Sequence, residues 1–201
     1  KPARITRLLI SHFHGDHVFG IPGLMRTMGA DQFAQKLYIY GPLGTKEYFQ
    51  HIFKWFKSKD IIEHEIQEVK SGVFFENEDF VLEAQPMQHS ATCVGFAFRE
   101  KERRRINLEK TKKLGLPEGP LLGKLQQGES VVWKGKKIMP DDVSYLVKGT
   151  KISYVADTRP CDGANILAKD ADLLISEGTH LDDIKEKTEK YMHLTVKEAA
   201  L

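Results

Sequence analysis

The feature that most constrains this chain is the segment 11–17, SHFHGDH, which directly follows the apolar run 8–10. Residues two apart in an extended segment point the same way, so His12 and His14 should project together, while a turn at Gly15 directs the next groups elsewhere. Four groups that can bind a metal lie in this segment: His12, His14, Asp16 and His17. Imidazole nitrogens with a carboxylate oxygen suit zinc, or manganese and iron as second choices. The end of one strand therefore predicts donors for two neighbouring metal ions, and a solvated histidine-rich loop is the alternative.

Length and composition indicate one globular domain with a sizeable core. The 201 residues are 41% hydrophobic and 29% charged, with a net charge of +2, so a polyanionic partner would have to be bound by a local basic patch. Two cysteines provide no disulfide framework and fit a reducing compartment. No long apolar run or signal peptide is visible, so a cytoplasmic protein that does not enter a membrane is expected. The start at Lys1 and the end inside a predicted helix suggest that both ends are cut.

Hydrophobic periodicity predicts a mixed α/β chain. The helix behind the histidine segment is expected to turn its positive end towards the metal donors, which favours an anion there. In the next helix, Phe49 and Phe53 are expected in the core. The predicted elements are strand 5–11, helix 18–35, strand 37–40, helix 45–57, strands 61–69, 80–88 and 94–98, hairpin 130–139, helical turn 140–143, strand 151–156, helix 164–168, buried strand 171–176 and helix 196–201.

Further polar groups follow predicted strands or begin a predicted helix. His89 comes after strand 80–88, and Asp157 opens an Asp-Thr-Arg-Pro turn after strand 151–156. Glu177 follows strand 171–176, and His193 precedes the last helix. Each has a plain interpretation as a loop, capping or surface residue. Their residue types and positions alone leave the choice between these roles and a functional site open.

A basic segment, 99–113, contains eight Lys or Arg residues and three Glu residues. It is followed by segment 114–128, in which Gly, Pro and Lys are frequent, a composition typical of a loop whose backbone can approach a ligand closely. A solvated surface is the alternative to a phosphate-binding surface.

These motifs together resemble the metallo-β-lactamase superfamily. The His-x-His-x-Asp-His motif after a strand carries that resemblance, and the following FGIPGL, at 19–24, is similar to the ribonuclease Z branch, the endonucleases that remove 3′ trailers from precursor tRNA. The Asp-Thr-Arg-Pro turn also matches. The family's His-Glu-Ala-Thr and His-Ser-Thr motifs are similar to residues 176–179, SEGT, and 193–195, HLT, with substitutions around Glu177 and His193. The resemblance implies an αββα sandwich with a dinuclear metal site.

The resemblance also implies specific roles. The metal ligands would be His12, His14 and His89 for the first ion, Asp16 and His17 for the second, and Asp157 for both. Two Zn²⁺ ions per subunit are expected, with Mn²⁺ or another divalent ion possible. Asp16 would orient or deprotonate the attacking water, and His193, held by Glu177, would protonate the departing 3′ oxygen.

Residues at about 100–129 resemble the ribonuclease Z exosite, an inserted arm with a Gly-Pro tip that binds tRNA. The implied RNA-binding residues are Arg103, Arg104, Arg105, Lys110, Lys112, Lys113, Gly119, Pro120 and Lys124. The expected partner is precursor tRNA, and the resemblance implies a homodimer.

The family's opening strands and its C-terminal strand and helix, with one further histidine ligand, have no counterpart here. Residues 1–201 are therefore expected to form a partial metallo-β-lactamase domain of a zinc-dependent endoribonuclease. Two alternatives are another dinuclear-metal phosphodiesterase or hydrolase of the same fold, and an inactive RNA-binding fragment.

Overall fold

The structure, a computed structural model, describes residues 2–56 and 62–201. It divides into two compact units. Unit 1 comprises Lys1–Arg99 and Lys151–Leu201, and unit 2 comprises Glu100–Thr150. Unit 2 thus extends beyond residue 129, the boundary predicted for the insertion.

Unit 1 contains both strands and helices. Its strands are β1 (Arg7–Leu9), β2 (Leu37–Gly41), β3 (His64–Glu68), β4 (Gly72–Glu76), β5 (Phe80–Met87), β6 (Cys93–Glu100), then, after unit 2, β11 (Lys151–Val155) and β12 (Leu173–Ser176). Its helices are α1 (Gly15–Val18), α2 (Ile21–Ala30), α3 (Thr45–Phe56), α7 (Asp162–Ala168), α8 (Lys185–Lys190) and α9 (Val196–Ala199), with 3₁₀ turns at Pro2–Arg4 and Asp182–Ile184.

Unit 1 confirms the αββα sandwich. Strands β1, β2 and β3 form a parallel sheet, and a second sheet has the order β12-β11-β6-β5-β4. Apolar residues of α2 and α3, including the fully buried Phe49, pack on the first sheet. A cluster containing Tyr40 and Phe96 lies between the sheets, and a third cluster joins α7 to β5, β6 and β11. Burial of these apolar faces orders the layers α, β, β, α.

The segment behind the histidine motif differs from the single predicted helix 18–35. A one-turn helix, α1, comes first, and α2 begins only at Ile21, with Gly20 at its N-cap and Pro22 in its first turn. Proline lacks an amide hydrogen and has a fixed φ, so it favours a new helix start. Helix α2 ends at Ala30, and Gln32 has a left-handed φ of 54°. The first turn next to the metal donors therefore belongs to α1.

Two strand predictions also need correction. The pattern missed β4, which pairs antiparallel with β5 across the turn at residues 77–79. The predicted buried strand 171–176 exists as β12, but Leu173, Leu174 and Ile175 are 38–50% exposed. Strand β12 lies at the sheet edge, paired with β11, so its apolar run was wrongly interpreted as buried. Residues 57 and 61, included in the predicted helix 45–57 and strand 61–69, lie outside the described residues.

Unit 2 contains its own small core. Its elements are β7 (Arg103–Ile106), α4 (Leu108–Lys113), α5 (Pro120–Gln126), β8 (Val131–Trp133), β9 (Lys136–Ile138), α6 (Pro140–Val143) and β10 (Ser144–Val147). Strand β7 pairs with β10, and β8 with β9. Leu116, Leu125, Val131, Ile138 and Val143 form a buried cluster. The segment predicted as a ligand-approaching loop is therefore held by apolar packing.

Local turn chemistry explains the hairpin of unit 2. Lys134 and Gly135 join β8 to β9 with φ values of 49° and 76°. Positive φ at both central residues is the type I′ turn, which matches the twist of antiparallel strands. The hairpin predicted at 130–139 is confirmed. Among the described residues, no helix has the length and apolar character needed to cross a membrane.

Candidate metal centre

The candidate metal donors lie at strand ends within unit 1. Segment 10–17 follows β1, His89 follows β5, and Asp157 follows β11. Backbone hydrogen bonds join these ends: the Ile10 amide donates to the Tyr40 carbonyl at 2.8 Å, and the Val94 amide donates to the Ser11 carbonyl at 2.9 Å. The two sheets thereby bring together donors that are far apart in sequence.

The first donor set consists of His12, His14, His89 and Asp157, whose donor atoms lie within 4.8 Å of one another. His14 Nδ1 is 3.1 Å from both His12 Nε2 and His89 Nε2. Asp157 Oδ2 lies 3.6 Å from His12 Nε2 and 3.9 Å from His89 Nε2. Two nitrogens bound tetrahedrally at about 2.0–2.1 Å from zinc would be about 3.3 Å apart, so the spacing fits such an ion.

The number of protons available to the ring nitrogens of the first donor set supports a cation between them. His89 Nδ1 lies 3.0 Å from the Met192 carbonyl, which only accepts, so in neutral His89 the proton is on Nδ1 and the Nε2 lone pair faces His14. His14 Nδ1 can donate at most one proton, although two imidazole nitrogens face it. Burial, followed by the charges of His17 and the other neighbouring histidines, lowers the pKa of His12 to about 3. A metal ion therefore fits this convergence of imidazole nitrogens.

The second donor set is more open. His17 Nε2 is 3.3 Å from Asp157 Oδ2 and 3.4 Å from Asp16 Oδ2. The Asp16 side chain is 81% exposed. Asp157 therefore faces both sets, which is the geometry needed for a carboxylate shared by two ions.

Glu177 and His193 form a pair beside Asp157. The two carboxylate oxygens of Glu177 are each 3.2 Å from His193 Nδ1, and His193 Nδ1 is 3.9 Å from Asp157 Oδ2. Glu177 also accepts from the Thr158 amide at 2.7 Å and from the Thr179 hydroxyl at 2.6 Å. Because the carboxylate is fixed by these donors, it can hold the His193 ring in one orientation.

Supporting groups surround His12. Ser11 Oγ is 3.1 Å and Cys93 Sγ 3.7 Å from His12 Nδ1. Burial, then the negative charge of Asp157, raises the pKa of the Cys93 thiol to about 12. The buried Cys93 therefore remains a neutral thiol and packs as a small apolar residue.

The predicted RNA-binding residues all belong to unit 2, and most of them are exposed. The exposed residues are Arg103, Arg105, Lys110, Lys112, Lys113, Gly119, Pro120 and Lys124. Arg104 differs: its side chain is half-buried, and its guanidinium donates to Asp141 at 2.5 Å and to Ser144 at 3.1 Å. Alternation along β7 thus separates Arg104 from its two exposed neighbours.

No individual role was predicted from the sequence for Arg159 or Glu198, which hold the backbone next to the candidate site. Arg159 Nη1 and Nη2 pair with the two oxygens of Glu198 at 2.8 and 2.7 Å, and Nη1 also donates to the His193 carbonyl. Glu198 belongs to a capping box with Thr195 at the start of α9. The Thr-x-x-Glu spacing at 195–198 was visible in the sequence and indicates such a box. Its pairing with Arg159 depends on the tertiary fold.

The Arg159–Glu198 ion pair should contribute a pH-dependent part of the stability. The hydrogen bond from Arg159 lowers the pKa of Glu198. A lowered carboxyl pKa contributes stability above the unfolded value of about 4.3, and this stability is lost as pH falls through the folded pKa. Glu198→Gln should lower the free energy of unfolding by about 1–2 kcal/mol at pH 7. Urea unfolding at about pH 7, 4 and 3 should show the difference from the original protein shrinking at the two acid values, whereas a constant difference would contradict the prediction.

Comparisons with known proteins agree with this geometry. The metallo-β-lactamase superfamily model matches residues 1–96. Ribonuclease Z of Methanosarcina acetivorans is 41% identical over 203 residues, covering 98% of this chain and 65% of that protein. Ribonuclease Z of Methanothermobacter thermautotrophicus is 38% identical over 201 residues, covering 100% of this chain and 66% of that protein. This chain thus spans about two thirds of the length of these relatives.

Solved structures share the fold. The crystal structure of human tRNase Z, short form, has a TM-score of 0.68 and 25% sequence identity, and the match covers 100% of this chain and 68% of that one. The long-form RNase Z from yeast has a TM-score of 0.60 at 16% identity, covering 96% of this chain and 26% of that one, which supports the fold alone. The sequence relatives, which match nearly the full length of this chain, and the αββα sandwich together show the metallo-β-lactamase fold and a similarity to ribonuclease Z.

Proposed function

We propose that this chain carries the catalytic residues of a metal-dependent endoribonuclease that removes the 3′ trailer from precursor tRNA and leaves a 3′ hydroxyl on the tRNA. The observation that carries the proposal is the shared Asp157, which faces the three-histidine donor set, the Asp16–His17 set and the Glu177–His193 pair. Donors for two ions next to a held histidine suit phosphodiester hydrolysis.

The donor chemistry fits two divalent ions, and zinc suits it best. His12, His14 and His89 would hold the first ion, Asp16 and His17 the second, and Asp157 both. When bound, such ions polarise the phosphodiester and lower the pKa of the attacking water. The exposed Asp16 carboxylate would orient that water or accept its proton.

The Glu177–His193 pair would serve the leaving group. In the protonated imidazole, Nδ1–H donates to Glu177 while the Nε2 proton is available for transfer to the departing 3′ oxygen. Because Glu177 is itself held by Thr158 and Thr179, the ring does not need to reorganise when the proton moves.

Unit 2 would bind the tRNA through its phosphate groups. Its exposed basic residues on β7, α4 and α5 are suited to phosphate contacts, which add affinity without reading sequence. Arg104 is excluded from this proposed surface because its guanidinium binds Asp141 and Ser144. The homodimer and the cytoplasmic location remain predictions, and the oligomeric state can be measured by light scattering.

The proposal is tested by measuring zinc content and cleavage of a precursor tRNA with a 3′ trailer. We expect zinc binding and a product with a 3′ hydroxyl. Zinc binding with turnover of bis(p-nitrophenyl) phosphate, but no precursor-tRNA cleavage, would instead favour a hydrolase of small diesters.

Neutralising three exposed lysines of α4 should weaken RNA binding selectively. We expect the variant with Gln at Lys110, Lys112 and Lys113 to raise the Kd for precursor tRNA by about 10- to 100-fold at low salt and to reduce its salt dependence. Hydrolysis of bis(p-nitrophenyl) phosphate, which needs no extended RNA contact, should be unchanged. Filter binding across a salt series measures the first effect.

The matched control removes the same charge from unit 1 by placing Gln at the exposed residues Arg26, Lys54 and Lys169. If both triple variants weakened binding equally, general charge and not the α4 surface would be responsible.

A further inference from the structure

The loop 191–195 presents neighbouring carbonyls to two different functional groups. The Met192 carbonyl lies 3.0 Å from His89 Nδ1, and the His193 carbonyl accepts from Arg159 Nη1. Met192 has a left-handed φ of 62°, an uncommon conformation for a residue other than glycine. One loop conformation therefore orients a candidate metal donor and holds the backbone of His193.

Arg159 is the residue that holds this loop in place. Its two terminal nitrogens form a bidentate pair with Glu198 in the first turn of α9, and Nη2 is 3.9 Å from Glu189. Its backbone amide donates to the Gln88 carbonyl at 2.8 Å, beside His89. Arg159 thus joins the strand end that carries His89 to the loop that carries His193.

The position of Arg159 in the sequence, two residues after Asp157, would equally suit an arginine that binds the substrate phosphate. The structure argues against that role. The Arg159 side chain is 13% exposed, and its terminal nitrogens already face carboxylates and a carbonyl. A bidentate guanidinium–carboxylate pair has fixed geometry, so it is well suited to position backbone.

We propose that Arg159, locked by Glu198, is a positioning residue that sets the orientation of His89 for metal binding and of His193 for proton transfer. The effect of Arg159 on His89 concerns the affinity of this chain for zinc and does not depend on which reaction the chain catalyses. The effect of Arg159 on His193 rests on the proposed function.

The test compares Arg159→Met, Arg159→Lys and Glu198→Gln. Zinc affinity, measured by competition with a chromophoric chelator without RNA, should fall about 10- to 100-fold in Arg159→Met, because outer contacts of metal-binding histidines have effects of this size. Arg159→Lys, which keeps the charge but not the bidentate pair, should recover part of the affinity. At saturating zinc, the kcat for precursor tRNA should fall at least about tenfold in Arg159→Met, with KM changed less than about twofold.

Arg104→Met is the matched control, since Arg104 is also half-buried and paired with a carboxylate, but in unit 2. It should leave zinc affinity within about twofold of the original. Unchanged zinc affinity in Arg159→Met, together with a raised KM for precursor tRNA, would overturn the proposal in favour of a substrate contact.

Circular dichroism checks that each variant is folded. If Arg159→Met does not fold, Glu198→Gln decides: weaker zinc binding supports the proposal, and unchanged binding overturns it. If the original protein binds zinc but does not cleave precursor tRNA, the zinc measurements still test Arg159, so the two failures are distinguishable.

Discussion

Replacing His14 by alanine should remove at least one zinc ion per chain and reduce precursor-tRNA cleavage by at least about 10³-fold. His14 Nδ1 lies between His12 Nε2 and His89 Nε2, at 3.1 Å from each. Its loss removes the central donor and leaves two imidazoles and a shared carboxylate, too few to complete a protein-bound tetrahedral shell. Metal analysis after gel filtration, with cleavage assays at fixed free zinc, measures both effects.

The matched control is His51→Ala, because His51 is an exposed histidine on α3. We expect it to retain the original zinc content and activity. Full zinc content and full activity in the His14 variant would rule out this donor set.

Replacing His193 by alanine should separate proton transfer from metal binding. We expect the kcat for precursor tRNA to fall about 10²- to 10⁴-fold, the range for loss of a general acid, with zinc content unchanged. Hydrolysis of bis(p-nitrophenyl) phosphate should fall less than about tenfold, because p-nitrophenolate leaves without being protonated. Single-turnover kinetics with both substrates measures the contrast.

Glu177→Gln should follow the same pattern with a smaller effect, since the amide can still accept from His193 Nδ1 but carries no charge. Asp16→Asn provides the opposite control: it should slow both substrates, because both require the attacking water. Equal losses on the two substrates in the His193 variant would assign His193 to metal or phosphate binding instead of to the leaving group.

The sequence predicts well those structural features that depend only on residues close together along the chain. The turn at Lys134-Gly135 requires positive φ at two residues, and the strand ends before His89 and Asp157 follow from apolar runs of ordinary length. The error over residues 18–35 is also local in origin: Gly20 and Pro22 separate α1 from α2, although the apolar spacing continues across them. The error over β12 is not local. The exposure of its apolar residues depends on which other elements pack against the strand, and the run of apolar residues does not contain that information.

The candidate site also combines local and non-local information. The motif 11–17 predicts metal donors from its residues alone, because four suitable groups lie within six residues. The roles of His89, Asp157, Glu177 and His193 were predicted only from the family resemblance. Their proximity follows from tertiary contacts between strand ends, which join residues that are 70 or more positions apart, as in the hydrogen bond from the Gln88 amide to Thr158 Oγ1 at 2.9 Å.

Three features depend only on neighbours along the chain and are therefore set by the sequence: the residue types at the strand ends, the basic character of segment 99–113 and the capping box 195–198. Three others appear only in the folded protein. Arg159 binds Glu198 and the loop 191–195, Arg104 pairs with Asp141 and not with solvent, and unit 2 has a core of its own. These features depend on the packing of the folded chain, because packing decides which side chains come within hydrogen-bonding distance of one another. The spacing of residues along the sequence does not encode those distances.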